Sequence, residues 1–228
     1  LCYKKLNMSK KNSNVILKDS FKKYETILDT YLNFKKNLKN LKLKSAVIAV
    51  SGGPDSLALA ALSKLYSLEF KTKFFYILID HNLRKNSNRE AAQVKKLLKK
   101  HNIDLKVLNN KKFISKNIQG EARKIRYNML LNFSKKYNIK AILTAHNLED
   151  QVETFFIRLS RGSGLTGLSG MKKLSNLDKK VKLFRPLLDT KKATLTKISS
   201  KVFGKYFSDP SNKDNKYLRT KIRNLKDP

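Results

Sequence analysis

Cysteine is almost missing from this chain: Cys2 is the only one. A single thiol permits no intrachain disulfide, no CxxC pair and no cysteine-built metal site. Long apolar runs are missing too. The longest stretch without Lys or Arg, Ser45 to Ser63, carries Gly52, Gly53, Pro54 and Asp55 at its centre. It therefore cannot form a continuous apolar helix that spans a bilayer. No charged-apolar-small signal pattern opens the chain. These absences read as a cytoplasmic chain with no membrane partner and no structural disulfide. Acidic residues are scarce, with 17 Asp+Glu against 51 Lys+Arg and a formal net charge of +34. A field of that size favours polyanions and makes their binding salt-dependent. Part of the excess belongs to a general richness in Lys and Asn, so the arginines carry more information. None precedes Arg84, and Arg89, Arg123, Arg126, Arg158, Arg161, Arg185, Arg219 and Arg223 follow it. In a chain that otherwise uses Lys, such positions point to a need for the planar, bidentate guanidinium.

What is present is an alternation. At 228 residues and 40% hydrophobic content, the chain can bury a core as one domain. Residues 1–17 are polar and read as a loose tail, with Met8 a candidate start within it. From Lys18 to Leu41, apolar residues recur at helical spacing. Strand-like runs follow at Ala46–Val50, Phe74–Ile79, Leu105–Leu108 and Ala141–Thr144, with a short run at Val181–Leu188. Helical patterns lie at Pro54–Leu68, Arg89–His101, Glu121–Tyr137, Leu148–Leu159 and Lys191–Lys201. No internal repeat interrupts them. The alternation predicts an α/β fold: a doubly wound, mainly parallel sheet of about five strands with helices on both faces. Residues 18–228 read as one catalytic domain, its part from about 171 a smaller helical or irregular extension. In an open parallel sheet, ligands bind outside the carboxyl ends of the strands. Chemistry-bearing residues stand there: Ser51–Ser56, then Asp80, His81 and Arg84, then His146 through Asp150.

The first of these segments is Ser51-Gly52-Gly53-Pro54-Asp55-Ser56. Two glycines let backbone approach a ligand closely, and Pro54 suits the first position of a helix. Backbone N–H groups before a helix N-terminus make an anion site. Neither a Walker A loop nor GxGxxG is present. Asp55 in the first turn would repel phosphate unless a divalent cation lay between them, so the loop reads as a Mg²⁺-assisted phosphate site. His146 and Asp150 are four apart at a helix start, which predicts one shared face turned toward the crevice. Asp150 with Asp55 would supply two carboxylates to Mg²⁺, and His146 would stabilise the transferring phosphate or shuttle a proton.

The loop resembles the SGGxDS loop of the N-type ATP pyrophosphatases, which adenylate a carbonyl-type oxygen and release pyrophosphate. Four further stretches resemble the tRNA(Ile)-lysidine synthases within that superfamily. They are DHNLRKNSNREA (Asp80–Ala91), GEARKIRYNML (Gly120–Leu130), TAHNLEDQVETFFIRLSRGSGLTGLSGM (Thr144–Met171), and FRPLL with SDPSN and YLRTKIRN beyond it (Phe184–Asn224). These motifs stand in one order over roughly residues 45–224. Asn147 departs from the pattern by standing where the family usually has a second histidine. It keeps hydrogen-bonding capacity without titrating near neutrality, and it reads as a supporting residue.

The resemblance implies a ligase that uses ATP, Mg²⁺, free L-lysine and the isoleucine tRNA with a CAU anticodon. The wobble cytidine would be adenylated and then attacked at C2 by the amine of lysine. It assigns Arg126 to the ATP phosphates or the leaving pyrophosphate, with Arg123 one turn earlier sharing the task. It implies a lid or RNA-contacting role for the glycine-rich stretch from Arg161 to Gly170. Asp80 and Glu121 are candidates for the lysine ammonium. His81, Arg84, Arg161, Arg219 and Arg223 are candidates for substrate or tRNA. Two other readings stand beside this one: a thiolase-type PP-loop enzyme, which Cys2 alone serves poorly, and an inactive tRNA-binding domain. The chain stops at Pro228, just past the matched region, as a short form or as a piece of a longer chain would.

Overall fold

The computed structural model describes residues 24–84, 86–207 and 222. A six-stranded sheet in the order β3-β2-β1-β4-β6-β5 forms the centre. Its strands are β1 (Ser45–Val50), β2 (Lys73–Asp80), β3 (Leu105–Asn109), β4 (Ala141–Leu143), β5 (Leu174–Asn176) and β6 (Lys182–Phe184). All neighbours pair in parallel except β5, which runs antiparallel to β6 at the edge. The middle strand β1 holds Ala46, Val47 and Ile48 with no exposed surface. Burial on both faces is why the sequence there is a continuous apolar run rather than an alternating one.

Helices cover both faces. On one side lie α1 (Glu25–Lys39), α2 (Pro54–Glu69), α3 (Ser87–Lys99) and α7 (Lys192–Phe203). Ile27 and Phe34 of α1, Leu57 through Leu62 of α2, Val94 and Leu98 of α3, and Leu195 and Ile198 of α7 share one core with Ala46 and Ile48. The unbroken burial of α2 explains its Ala/Leu sequence, because it lies between the sheet and the other helices. On the opposite face, α4 (Ile118–Lys136) sets Leu130 and Phe133 against Val47, Ile77, Ile142 and Leu183. Strand order doubles back at β1, since β2 and β3 lie on one side and β4 on the other. The crevice between β1 and β4 is thus the topological switch point, where ligands of such sheets bind.

The doubly wound α/β architecture agrees with the sequence reading, with six strands instead of about five. The added strand is β5, whose three residues Leu-Ser-Asn carry no apolar alternation. The part from about 171, expected as a smaller extension, contributes β5 and β6 to the same sheet and α7 to the same core. Two more helices follow β4: α5 (Leu148–Leu159) and the short α6 (Leu165–Leu168). Residues 1–17, expected as a tail, lie outside the described residues, as do Arg219 and Arg223.

Candidate active site

The loop between β1 and α2 is held in one shape by its own side chains. Ser56 Oγ donates to Gly53 O at 3.0 Å and accepts from Ser51 N at 3.0 Å. Its distance to Ser51 Oγ is 3.2 Å. Gly52 has φ +85, and a Cβ there would stand 2.7 Å from Val94 Cγ2 on α3. Glycine is therefore required twice over, by conformation and by space. Gly53 is the N-cap and Pro54 opens the helix, with no side-chain cap on the first turn. Uncapped first-turn N–H groups are the donors that an anion would meet. Asp55 is half-buried in that turn. From the far end of the described chain, Phe207 N donates to Gly52 O at 3.0 Å. Sequence reasoning missed this contact, since nothing in Phe207 itself signals it.

Beside this loop, β4 delivers a second segment. Thr144 N donates to Phe184 O of β6, and Thr144 Oγ1 lies 2.8 Å from Nδ1 of half-buried His146. Asn147, 1% exposed, is the N-cap of α5. Its Oδ1 accepts from Asp150 N at 2.9 Å, and Asp150 Oδ2 accepts from Asn147 N at 3.1 Å. This reciprocal pair is a capping box. It corrects the expectation that His146 and Asp150 share a helical face. The helix begins only after Asn147, so His146 lies outside it while Asp150 sits in its first turn. The amide in place of a second histidine has a structural task, which is to start the helix that carries Asp150. Glu149 Oε2 in the same turn accepts from Lys192 N at the start of α7.

On the other side of β1, the end of β2 presents Asp80 and His81. Asp80 is 4% exposed; its Oδ1 accepts from Asn82 N at 2.9 Å, and its Oδ2 is buried without a hydrogen-bond partner among the described residues. Both ring nitrogens of His81 are likewise sealed and without such a partner. Burial pushes this imidazole down to about 4, the positive charge of Arg126 pushes the same way, and Asp80 opposes them. His81 is thus uncharged at neutral pH, with donor and acceptor capacity to offer.

The remaining candidates are more exposed. Arg123 and Arg126 lie on α4, and Arg123 stacks over the Tyr127 ring at 5.1 Å. Glu121 pairs with Lys124 at 2.7 Å, and Arg84 with Glu90 at 3.2 Å. Such surface pairs contribute little and exchange readily for a ligand. Arg161 follows the C-terminal end of α5, the end away from Asp150, and is exposed. Buried Arg185, 8% exposed, was named in sequence among the arginines and within FRPLL, without a role; its Nη1 donates to Lys172 O at 2.8 Å and to Ser175 Oγ at 3.0 Å. The fold brings Ser51–Ser56, His146 and Asp150 to neighbouring strand ends at the switch point, flanked by Asp80 and His81. Among the described residues, no three His, Cys, Asp or Glu side chains cluster as a metal site.

A family model described as a PP-loop domain matches residues 27–226. A curated tRNA(Ile)-lysidine synthase of Orientia tsutsugamushi is 41% identical over 181 residues, which is 78% of this chain and 40% of the relative. Proteins of the same name from Novosphingobium aromaticivorans and Rickettsia africae are 38% and 35% identical, over 78% and 85% of this chain and 54% and 41% of theirs. The chain thus spans about half the length, or less, of these relatives. A solved U34-tRNA thiolase from Methanococcus maripaludis superposes with a TM-score of 0.73 at 20% identity, covering 89% of this chain and 72% of that one. A likeness at that identity establishes the fold alone. Among the described residues, no helix is long and apolar enough to cross a membrane.

Proposed function

Because the chain belongs to the PP-loop family, we propose that it joins lysine to C2 of the wobble cytidine in the CAU anticodon of tRNA(Ile), at the expense of ATP. The observation that carries this reading is the pairing of β1 with β4, which sets the Ser51–Ser56 loop beside His146 and Asp150. Relatives that align over those same segments are named for that reaction.

In the first step, O2 of the cytidine attacks the α-phosphorus of ATP, and pyrophosphate leaves. In the second, the amine of lysine, having shed a proton, attacks C2 and expels AMP. Backbone N–H groups of Gly52, Gly53, Asp55 and Ser56 would hold the phosphates, the Ser51 N–H being taken by Ser56 Oγ, and Arg126 with Arg123 would balance the charge of the leaving pyrophosphate. Donors fixed before the reaction lower the barrier without reorganising during it. His146 would stabilise the transferring phosphate or shuttle a proton. Asp55 and Asp150 would hold Mg²⁺. Two hard carboxylates without a third protein ligand among the described residues suit an ion that keeps water and phosphate oxygens. Its contribution when bound is to neutralise phosphate charge. Asp80, with one buried oxygen unsatisfied, is the better candidate for the lysine ammonium, and Glu121 would first have to release Lys124. The neutral His81 is suited to a hydrogen bond with an uncharged base edge. Residues 18–228 would act as the catalytic unit, in the cytoplasm.

The experiment is release of AMP and pyrophosphate from ATP by the purified chain with an isoleucine tRNA transcript and lysine. Release that requires the CAU anticodon and disappears in Asp55→Asn supports the reading. Release indifferent to the wobble base rejects cytidine as the adenylated group.

A further inference from the structure

The glycine-rich stretch after α5 is the segment that sequence reasoning reads as a lid or RNA contact, yet it is tied down along its length. The chain turns at Gly162, with φ +68, forms α6, and turns again at Gly170, with φ +76. It returns along α5 toward the helix's first turn. Arg158 Nη1 donates to Gly167 O at 2.6 Å and to Gly170 O at 3.0 Å. Gln151 holds one residue on both sides: its Nε2 donates to Met171 O at 2.9 Å, and its Oε1 accepts from Met171 N at 2.6 Å. Gln151 and Arg158 stand two turns apart and so share a face of α5, which fixes the returning strand at points about 10 Å apart along the axis. Gly170 fits this arrangement closely, since a Cβ there would lie 2.9 Å from Gln151 Oε1.

We infer that Gln151 and Arg158 are positioning residues that hold segment 162–171 as a fixed wall beside the catalytic crevice, against which the RNA strand seats. The inference rests on the proposed function for the identity of that strand. Gln151 directly follows Asp150, so the clamp joins the wall to the turn that carries a catalytic carboxylate. Beyond Met171, the next two carbonyls are taken by Arg185, through Nη1 to Lys172 O and through its backbone N to Lys173 O. The segment therefore stays pinned until it enters the sheet. A lid needs a segment that can leave its closed position at little cost. Here, opening would strand the Arg158 guanidinium and the Gln151 amide, each half-buried, without their partners. Arg161, just before this segment, and Leu165 within it are exposed, the latter 89%, as are Phe155 and Phe156 on α5. Cations interleaved with large apolar side chains suit the phosphates and unstacked bases of a single strand.

The test combines hydrogen exchange with two affinities. In the wild-type chain, the Met171 amide and its neighbours in 162–171 should exchange slowly. Arg158→Ala, Gln151→Leu and, from the other side of the contact, Gly170→Ala should lose that protection while α2 and the sheet keep theirs. The same variants should weaken binding of the tRNA transcript about tenfold, as expected for one or two lost hydrogen bonds, and leave ATP affinity within about twofold. Arg158→Lys, whose ammonium can still donate to both carbonyls, should recover most of the loss. Fast exchange over 162–171 in the wild type would overturn the inference. So would variants that lose protection and yet bind tRNA normally, or that lose ATP and tRNA alike. A wild-type chain that binds no tRNA would reject the functional reading, while exchange would still decide whether the wall is fixed.

Discussion

Replacing Gly52 with alanine would place a Cβ 2.7 Å from Val94 Cγ2 on a backbone held at φ +85. The combined strain should destabilise the fold by about 1–3 kcal/mol and distort the N–H groups proposed to face the phosphates. We expect a lower melting temperature together with weaker ATP binding; an unchanged ATP titration would mean that the loop does not hold the nucleotide. His81 makes a prediction in pH. Its imidazole is held at about 4 by burial and by Arg126, so the unfolded chain binds this proton more readily than the folded one. Stability from this group is complete above the ordinary histidine value and falls as pH drops from about 6.5 toward 4. His81→Gln should flatten that part of the stability profile in denaturant titrations. Burial lowers His101 as well, so the profile should flatten in part only. A His81→Gln profile that overlays the wild type would show that the ring is already solvated.

Elements explain why some of these residues are legible in sequence and others are not. The start of α5 depends on its cap, and Asn147→Ala should remove about 1 kcal/mol, seen as a lower denaturant midpoint. Asn147→Asp should keep the acceptor and most of the stability; equal losses in both variants would mean that the capping box does not hold the helix start. The same cap explains a misreading. Spacing alone put His146 and Asp150 on one helical face, although the same reading began the helical pattern at Leu148, which leaves His146 outside the helix. Strands β1 and β2 and helices α2 and α5 were readable because their patterns are long and their boundaries chemically marked. Strand β5 was not, since Leu174, Ser175 and Asn176 owe their strand form to pairing with β6 alone. Helix α6 was hidden in the glycine-rich stretch from Arg161 to Gly170, where four residues are too few to show a helical period. The site loops were legible by their positions after strands, but the long-range contact of Phe207 with Gly52 and the double grip of Gln151 on Met171 have no local signature.

At the scale of the whole molecule, a net charge of +34 surrounds a crevice proposed to receive RNA. Binding of tRNA should then weaken steeply with salt, on the order of a thousandfold between 50 and 200 mM if several phosphates are contacted. Filter binding across that range measures the slope, and a flat dependence would assign the lysines to surface composition alone. The sheet supplies the rigid part of the account, because strand ends fix the places of the Ser51–Ser56 loop, the capped helix and the Asp80–His81 corner. The most direct measurement is transfer of labelled lysine into the wobble nucleoside of a CAU-anticodon tRNA(Ile) transcript, with ATP and Mg²⁺ supplied. The account predicts ATP-dependent label on that nucleoside, lost in Asp55→Asn and in a transcript with a changed wobble base. Label absent from a folded wild-type chain that binds both ATP and tRNA would contradict it.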